Sequence, residues 1–243
     1  MKNKFMQLLK NTAGAGKKPL NVVKNEAGTE ATLYVYDIID SYWGVAAKDV
    51  AEALSGLAGD TTLHVRINSP GGDVFEGRAI STLLKEFSGK TVAHVDALAA
   101  SAATTVALGC DEIIMADGAY FMIHNAWCVA IGNKKDMQDM YALLDKMDGT
   151  IANDYAVKSA KSIDEIKVLM DAETWFTAQE AVDIGLVDSI SKAAEAPENA
   201  TTKNFNLSAY QRAPKALTEP PKQEDFNVLI ANNHRRLRLL SVA

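Results

Sequence analysis

The sequence predicts an α/β domain built around a largely parallel β-sheet. Segments typical of strands alternate with segments typical of amphipathic helices over residues 31–191, and this alternation is the pattern of an α/β fold. The chain has 243 residues, 48% of them hydrophobic, which suits one sizeable core with appended segments or two small domains. We expect one main domain over 31–191.

The first strand–helix units are recognised from composition and spacing. Residues 31–39, ATLYVYDII, are typical of a strand, and apolar residues at helical spacing predict a helix over 46–57. Residues 61–68, TTLHVRIN, predict a second strand that ends at the turn-forming SPGG. A second amphipathic helix is expected over 77–87.

The second half of the domain repeats the pattern. Residues 90–98 predict a strand and residues 101–109 a short helix. Two short strands around a turn are expected within 111–124. Residues 175–190 predict a helix that ends at Gly185 and is followed by a short strand.

A long amphipathic helix is expected over residues 134–158. Its apolar positions recur every three or four residues: Met137, Met140, Leu144, Met147, Ile151 and Tyr155. Two interpretations stay open at this point. The helix lies on the sheet of its own domain, or it projects and packs against another subunit.

The two ends of the chain differ in composition from the domain. Residues 1–30 are polar and rich in Gly and Lys, which predicts a flexible arm. Beyond Ser191 prolines mix with Glu, Asn, Thr and Lys, which predicts a linker over 192–223. Apolar periodicity returns over 224–243, either as a docking helix or as a frayed tail.

Charge and cysteine content exclude several classes of function. A formal net charge of −6 argues against nucleic acid as the main partner. No apolar run reaches the length of about 18 residues that a membrane span requires. The two cysteines, Cys110 and Cys128, lack metal-ligand spacing, so we expect no metal, no disulfide framework and a reducing cytoplasm.

Ser101 is a candidate nucleophile. It stands among alanines in DALAASAATTVALG, residues 96–109, where a predicted strand becomes a predicted helix. A nucleophile at a helix start gains from the helix dipole, and the N–H of Ala102 is placed to donate to an oxyanion. The alternative is a small residue that serves only close packing. The G-x-S-x-G motif of α/β-hydrolases is absent.

The turn NSPGGD, residues 68–73, is a candidate oxyanion-binding loop. Gly71 and Gly72 carry no Cβ, so the backbone can approach a substrate and direct an amide N–H at developing charge. The alternative is an ordinary turn, because Pro-Gly-Gly is strong turn chemistry.

Four histidines are candidate general bases. His64 and His94 lie inside predicted strands among apolar residues, which favours a structural role, and His234 lies in the C-terminal tail. His124 ends a predicted strand, where a side chain can reach the crevice at the carboxyl ends of the strands.

Three stretches together resemble the proteolytic subunit of Clp protease, and most closely the Clp-like head maturation proteases of tailed phages and prophages. They are RINSPGGDVFEGRAI, ALAASAATTVALGCDEIIMADGAYFMIHNA and ETWFTAQEAVDIGLVDSI. Their order and separations match that family over about residues 30–190. The resemblance implies a spiral of β-β-α units, like that of the crotonases, with the helix at 134–158 as a handle that packs ring against ring.

The resemblance also implies the roles of individual residues. Ser101 matches the nucleophile, and His124 the general base. The backbone N–H groups of Gly71, Gly72 and Ala102 match the oxyanion hole. Ala102 replaces the family's usual Met, a change that keeps the backbone donor.

The third catalytic position departs from the family. An Asp is usual two residues before the aromatic of the F-[LF]-[ST]-A-x-E-A segment, and here that position holds Glu173, with Asp171 two residues earlier. A Glu is one methylene longer and can still orient an imidazole. We expect Glu173 to be the acid, with Asp171 as the alternative and a structural charge at a helix start as the third reading.

The sequence therefore predicts a serine endopeptidase that acts through an acyl-enzyme and needs no cofactor. The resemblance implies a ring-shaped homo-oligomer that cleaves capsid or scaffold proteins during prohead maturation, in the bacterial host cytoplasm or inside the prohead. No Walker A motif occurs, so a partner ATPase is not implied. The alternatives are a crotonase-type acyl-CoA enzyme, and a catalytically degenerate assembly factor.

Overall fold

The computed structural model describes residues 20, 22–25, 28–191, 205, 207 and 210–218 of the chain. The predicted docking helix at 224–243, most of the N-terminal arm and His234 lie outside these residues. In the part described, the predicted α/β domain is present as a mixed sheet with helices packed against it.

The strands are numbered in chain order. They are β1 (Val22–Lys24), β2 (Glu30–Val35), β3 (Thr62–Ser69), β4 (Thr91–Ala100), β5 (Glu112–Ala116), β6 (Tyr120–Ile123), β7 (Thr174–Thr177) and β8 (Ser189–Ser191). The main path of the sheet is β1-β2-β3-β4-β5-β8, parallel from β2 onward. The largely parallel sheet expected from the sequence is confirmed.

The helices connect these strands. They are α1 (Ala47–Ser55), α2 (Val74–Lys85), α3 (Ala102–Ala107), α4 (Lys134–Ser159), α5 (Ile163–Asp171), α6 (Ala178–Asp183) and α7 (Lys215–Thr218). Helix α2 begins three residues earlier than predicted because Asp73 caps it, accepting from the N–H groups of Phe75 and Glu76 at 2.8 and 2.9 Å.

Strand β4 is shared between two parallel partners. Its first half pairs with β5 through Val92–Val95, and its second half pairs with β6 through Leu98–Ala100. The pairing with β3 shifts register between Ile67 and Ser69 at the same point. The carboxyl ends of β4 and β6 therefore lie side by side, and β7 extends this branch as an antiparallel partner of β6.

Four elements differ from the sequence-based expectations, and one of them is α7, which lies within the predicted linker over 192–223. Val22–Lys24 were assigned to the flexible arm but form β1, which pairs with β2. Residues 174–177 form strand β7 rather than the start of a helix, because Thr177 and Glu180 form a capping box that begins α6 there. Helix α5, with its own capping box at Ser162, was not predicted.

Helix α4 fits each of the two interpretations of the long amphipathic segment over part of its length: one half packs on its own domain, and the other half is exposed. Its C-terminal part packs into the core, where Ile151 is 7% and Tyr155 is 1% exposed. Residues 134–139, 141–143, 145 and 146 of its N-terminal half are exposed, and Tyr141 is 74% exposed. The interpretation that the apolar positions of this helix pack against another subunit is therefore wrong for Ile151 and Tyr155.

Tyr155 connects this helix to α3. The Thr104 hydroxyl donates to the carbonyl oxygen of Ser101 at 2.6 Å, so the Tyr155 hydroxyl donates to the Thr104 oxygen. Thr104 is fully buried. The long helix thus supports the turn that carries Ser101.

We expect Tyr155→Phe to lower the free energy of unfolding by about 1 kcal/mol, because it removes one buried hydrogen bond and little packing. Tyr42→Phe is the control, since Tyr42 is 77% exposed and surface changes of this kind stay within about 0.5 kcal/mol. Urea denaturation at one protein concentration measures both. Equal effects of the two substitutions would contradict the role given to the Tyr155 hydroxyl.

Candidate active site

Ser101 and His124 meet at the carboxyl ends of β4 and β6. The register pairs Ala100 with Met122, and the N–H of Ser101 donates to the carbonyl oxygen of Met122 at 3.0 Å. The side chains that follow each strand therefore lie together. His124 Nε2 is 2.8 Å from Ser101 Oγ, the distance of a hydrogen bond between a base and a nucleophile.

The backbone at Ser101 is strained. Its φ of 54° and ψ of −127° lie in a region that residues other than glycine rarely adopt. The residue ends β4 and is the N-cap of α3, so the chain reverses sharply around it. Backbone strain of this kind clusters at functional sites, and this conformation directs the Ser101 hydroxyl toward His124 rather than into the packed helix.

His124 is neutral at physiological pH. Burial lowers the pKa of its imidazole to about 4, and the nearby Glu173 carboxylate opposes that shift only in part. A neutral imidazole has a free lone pair, so it can take the proton of the Ser101 hydroxyl.

Glu173 lies beside His124 because of the β6–β7 register. That register pairs Ile123 with Thr174, and the next antiparallel pair in the same direction is His124 and Glu173. Glu173 has a φ of 47°, a left-handed conformation at the turn between α5 and β7.

The Glu173 carboxylate is nevertheless bonded elsewhere. Its Oε1 accepts from the Trp175 indole N–H at 3.2 Å and from the N–H of Arg212 at 2.7 Å, and its Oε2 accepts from the N–H of Gln211 at 2.8 Å. In the described part of the chain, no hydrogen bond joins His124 to a carboxylate.

Asp171 lies at the end of α5. Its Oδ1 accepts from the Asn125 side-chain amide at 2.6 Å. This contact ties Asp171 to the segment after His124 rather than to the imidazole itself. The structure thus brings Ser101 and His124 together, sets Glu173 next in the β6–β7 register, and holds Asp171 against Asn125.

The two glycines of the SPGG turn contact the same site in different ways. A Cβ on Gly71 would lie 2.8 Å from Ser101 Cβ and 2.4 Å from the carbonyl oxygen of Ala100, so only glycine allows this approach. Its N–H donates to Ser69 Oγ at 3.1 Å. Among the described residues, the N–H groups of Gly72 and Ala102 donate to no protein atom.

His64, His94 and the cysteines lie outside this site. His64 Nδ1 and His94 Nε2 are 2.9 Å apart on neighbouring strands, in a partly buried pair. Cys110 and Cys128 are both free thiols. Within the described ranges, no group of three or more His, Cys, Asp or Glu side chains is arranged to hold a metal ion, and no helix is long and apolar enough to span a membrane.

Tyr210 is the residue of the site that sequence reasoning missed. Its ring contacts those of His124 and Trp175 edge to face, with centroids 5.4 and 5.6 Å apart, and its hydroxyl donates to the carbonyl oxygen of Pro70. It falls in the stretch predicted as a linker. The signal available was the group of apolar residues Phe205, Leu207 and Tyr210 in a polar, Pro-containing stretch.

The comparisons with known proteins agree with this geometry. Residues 22–194 match the Clp protease family. The chain is 26% identical over 198 residues to the ATP-dependent Clp protease proteolytic subunit 1 of Protochlamydia amoebophila, covering 78% of this chain and 94% of that protein. It is 28% identical over 197 residues to the proteolytic subunit 2 of Corynebacterium glutamicum, covering 79% and 97%.

Solved structures of similar fold include ClpP1 from Listeria monocytogenes and a point mutant of that protein. The mutant matches with a TM-score of 0.60 at 23% identity, over 67% of this chain and 91% of that chain. The unaltered protein matches with a TM-score of 0.55 at 24% identity, over 67% and 92%. At this identity the likeness establishes the fold, which is the ClpP-like α/β fold that the sequence resemblance implied.

The family match covers most of the chain and contains Ser101, His124 and the SPGG turn in one site. The chain therefore belongs to the Clp protease family and is a serine endopeptidase.

Proposed function

We propose that Ser101 is the nucleophile and His124 the general base of peptide-bond hydrolysis. The observation that carries this proposal is the 2.8 Å contact between Ser101 Oγ and His124 Nε2. Ser101 Oγ attacks the peptide carbonyl carbon while its proton passes to His124 Nε2. The imidazolium then protonates the leaving amine, and water hydrolyses the resulting ester by the same route.

The tetrahedral intermediate needs donors for its oxyanion. The N–H groups of Gly72 and Ala102 are the candidates with no bond to another described residue. Gly71 allows the loop to approach Ser101 closely because it has no side chain. Its own N–H already donates to Ser69 Oγ. We therefore give Gly71 a spacing role and assign the donors to Gly72 and Ala102.

Glu173 is the carboxylate we propose to orient His124. Its support is the β6–β7 register, which continues to a His124–Glu173 backbone pair, and the Glu173 charge, which raises the pKa of His124. Asp171 is the second candidate, because its contact with Asn125 holds the segment that follows His124. The orienting carboxylate fixes the imidazole tautomer and stabilises the imidazolium that forms.

The Ser101–His124 contact favours a peptidase over a crotonase-type acyl-CoA enzyme. A thioester oxyanion would use the same backbone donors without a serine nucleophile, so that chemistry leaves the contact unexplained. A catalytically degenerate assembly factor would equally leave unexplained why Ser101 has a strained backbone and contacts the His124 imidazole.

The physiological substrates we propose are capsid or scaffold proteins, cleaved during phage prohead maturation in the bacterial host cytoplasm. The support is the resemblance of the three sequence stretches to Clp-like head maturation proteases. Confinement inside an assembling shell would deliver substrates without an unfoldase.

We also propose that the exposed half of α4 mediates homo-oligomerisation, in a ring. Large apolar side chains lie on or next to this half: Trp127, Val129, Ile131, Met137, Tyr141 and Leu143. Extensive exposed apolar surface is uncommon in monomers. Because the segment 125–133 links His124 to α4, a neighbour bound there would order the site.

Ser101→Ala should abolish peptidase activity and leave the fold intact, because it removes one oxygen from a site already lined by alanine. Loss of the nucleophilic serine costs roughly 10⁶ in turnover in a well-studied serine protease. Cleavage of a purified capsid–scaffold protein without nucleotide measures the loss, with exposed Ser55→Ala as the control. Undiminished cleavage by Ser101→Ala would refute the nucleophile, and a requirement for ATP and an unfoldase would refute the prohead role.

Glu173→Gln should reduce turnover more than Asp171→Asn, because an amide no longer stabilises the imidazolium. Initial rates on a short chromogenic peptide, with thermal unfolding of both variants, give the comparison. The opposite order would assign the orienting role to Asp171. Equal and slight losses would indicate a working Ser–His dyad.

The double variant Met137→Asp and Tyr141→Asp should give smaller species in analytical ultracentrifugation, with a parallel loss of activity, because it places charge on the proposed interface. Gln138→Asp, on the same exposed turn, is the control for added charge. A protein that is monomeric and fully active at nanomolar concentration would rule out the coupling of assembly to activity.

A further inference from the structure

The C-terminal segment, residues 205–218, is described at 205, 207 and 210–218, and these residues pack onto an apolar face next to the active site. That face is formed by five side chains of β4, β6 and β7: Leu98, Ala100, Tyr120, Met122 and Trp175. Leu207 from the segment is only 4% exposed in the centre of this face. Phe205, Ala213 and Leu217 pack around it.

The same segment covers the nucleophile and the base. The Tyr210 ring lies edge to face on His124, and the hydroxyl donates to the carbonyl oxygen of Pro70 in the oxyanion loop. Burial raises the pKa of the Tyr210 hydroxyl well above its usual range, and the nearby Glu173 carboxylate adds to that rise. A peptide substrate needs the space that Tyr210 fills.

The segment also holds the proposed orienting carboxylate. The consecutive N–H groups of Gln211 and Arg212 donate to the two oxygens of Glu173 at 2.8 and 2.7 Å. These bonds occupy the carboxylate at the position where His124 requires it. If the segment served packing alone, burial of Leu207 in the apolar face would be enough, and the hydrogen bonds to Glu173 would not be needed.

We propose that the C-terminal segment is an intramolecular inhibitor, which fills the substrate groove beside Ser101 and withholds Glu173 from His124. This inference rests on the proposed roles of those three residues. The Clp family match ends at residue 194, so the segment is an addition to the shared domain. Its release frees the apolar face for substrate side chains and Glu173 for the imidazole, and cleavage of the chain before residue 205 is one means of release.

Two single substitutions in the full chain test the proposal. Leu207→Ser weakens the anchor in the apolar face, and Tyr210→Ala removes the ring over His124. Lys215→Ala is the matched control, since that side chain is exposed in the same segment. The readouts are the rate of Ser101 labelling by a fluorophosphonate and the hydrogen exchange of the Gln211 and Arg212 amides.

We expect both variants to be labelled about ten- to a hundredfold faster than the unaltered protein, in line with the loss of one buried apolar side chain. The two amides should exchange faster in the same variants, and Lys215→Ala should change neither readout. A synthetic peptide of residues 205–218 should slow labelling of Tyr210→Ala again.

Three other outcomes would overturn the proposal. Amides that exchange freely in the unaltered protein would show that the segment is not docked. If the two amides exchange faster in the variants while the rate of Ser101 labelling is measurable and unchanged, the segment docks without inhibiting. That outcome would not affect the proposed protease function. Faster exchange with no labelling of Ser101 in any variant would instead refute the proposed nucleophile.

Discussion

The parallel pairing of β4 with β6 is the constraint on which the active site depends. Hydrogen bonds between the two strands fix Ala100 opposite Met122, so Ser101 and His124 leave neighbouring strands at the same edge. Strand β7 adds a second fixed register, which brings Glu173 to the same place. Because backbone pairing has a period of two residues, a slip of one residue in either register would turn the catalytic side chains to opposite faces.

Close packing around Ser101 depends on small residues and on one buried hydroxyl chain. Gly71 approaches Ser101 Cβ at a distance that admits no side chain. Behind the nucleophile, Thr104 and Tyr155 link the Ser101 carbonyl oxygen to the long helix. Helix α4 is thus exposed in its N-terminal half and bonded through Tyr155, in its C-terminal part, to the turn that carries Ser101. This connection provides a physical route from assembly to the active site.

The branch of the sheet formed by β4, β6 and β7 has two apolar faces. Alternation along β4 sends Ala99 into the main core and Leu98 and Ala100 to the other side, where the C-terminal segment covers them. A face of this kind suits the binding of an extended peptide when it is open. In this structure the chain's own segment occupies it, with Tyr210 at the nucleophile.

The sequence by itself determined the alternation of strands and helices, the strand-end positions of Ser101 and His124, and the glycine turn, because periodicity and turn chemistry are local properties. It did not determine β1, β7, α5 or α7, since short elements are decided by their partners. Only the tertiary structure decided that Glu173 lies beside His124 while bonded to Gln211 and Arg212. It alone decided that Tyr210, about 110 residues further along the chain than Ser101, covers the site, because contacts between distant residues depend on how the sheet brings its edges together.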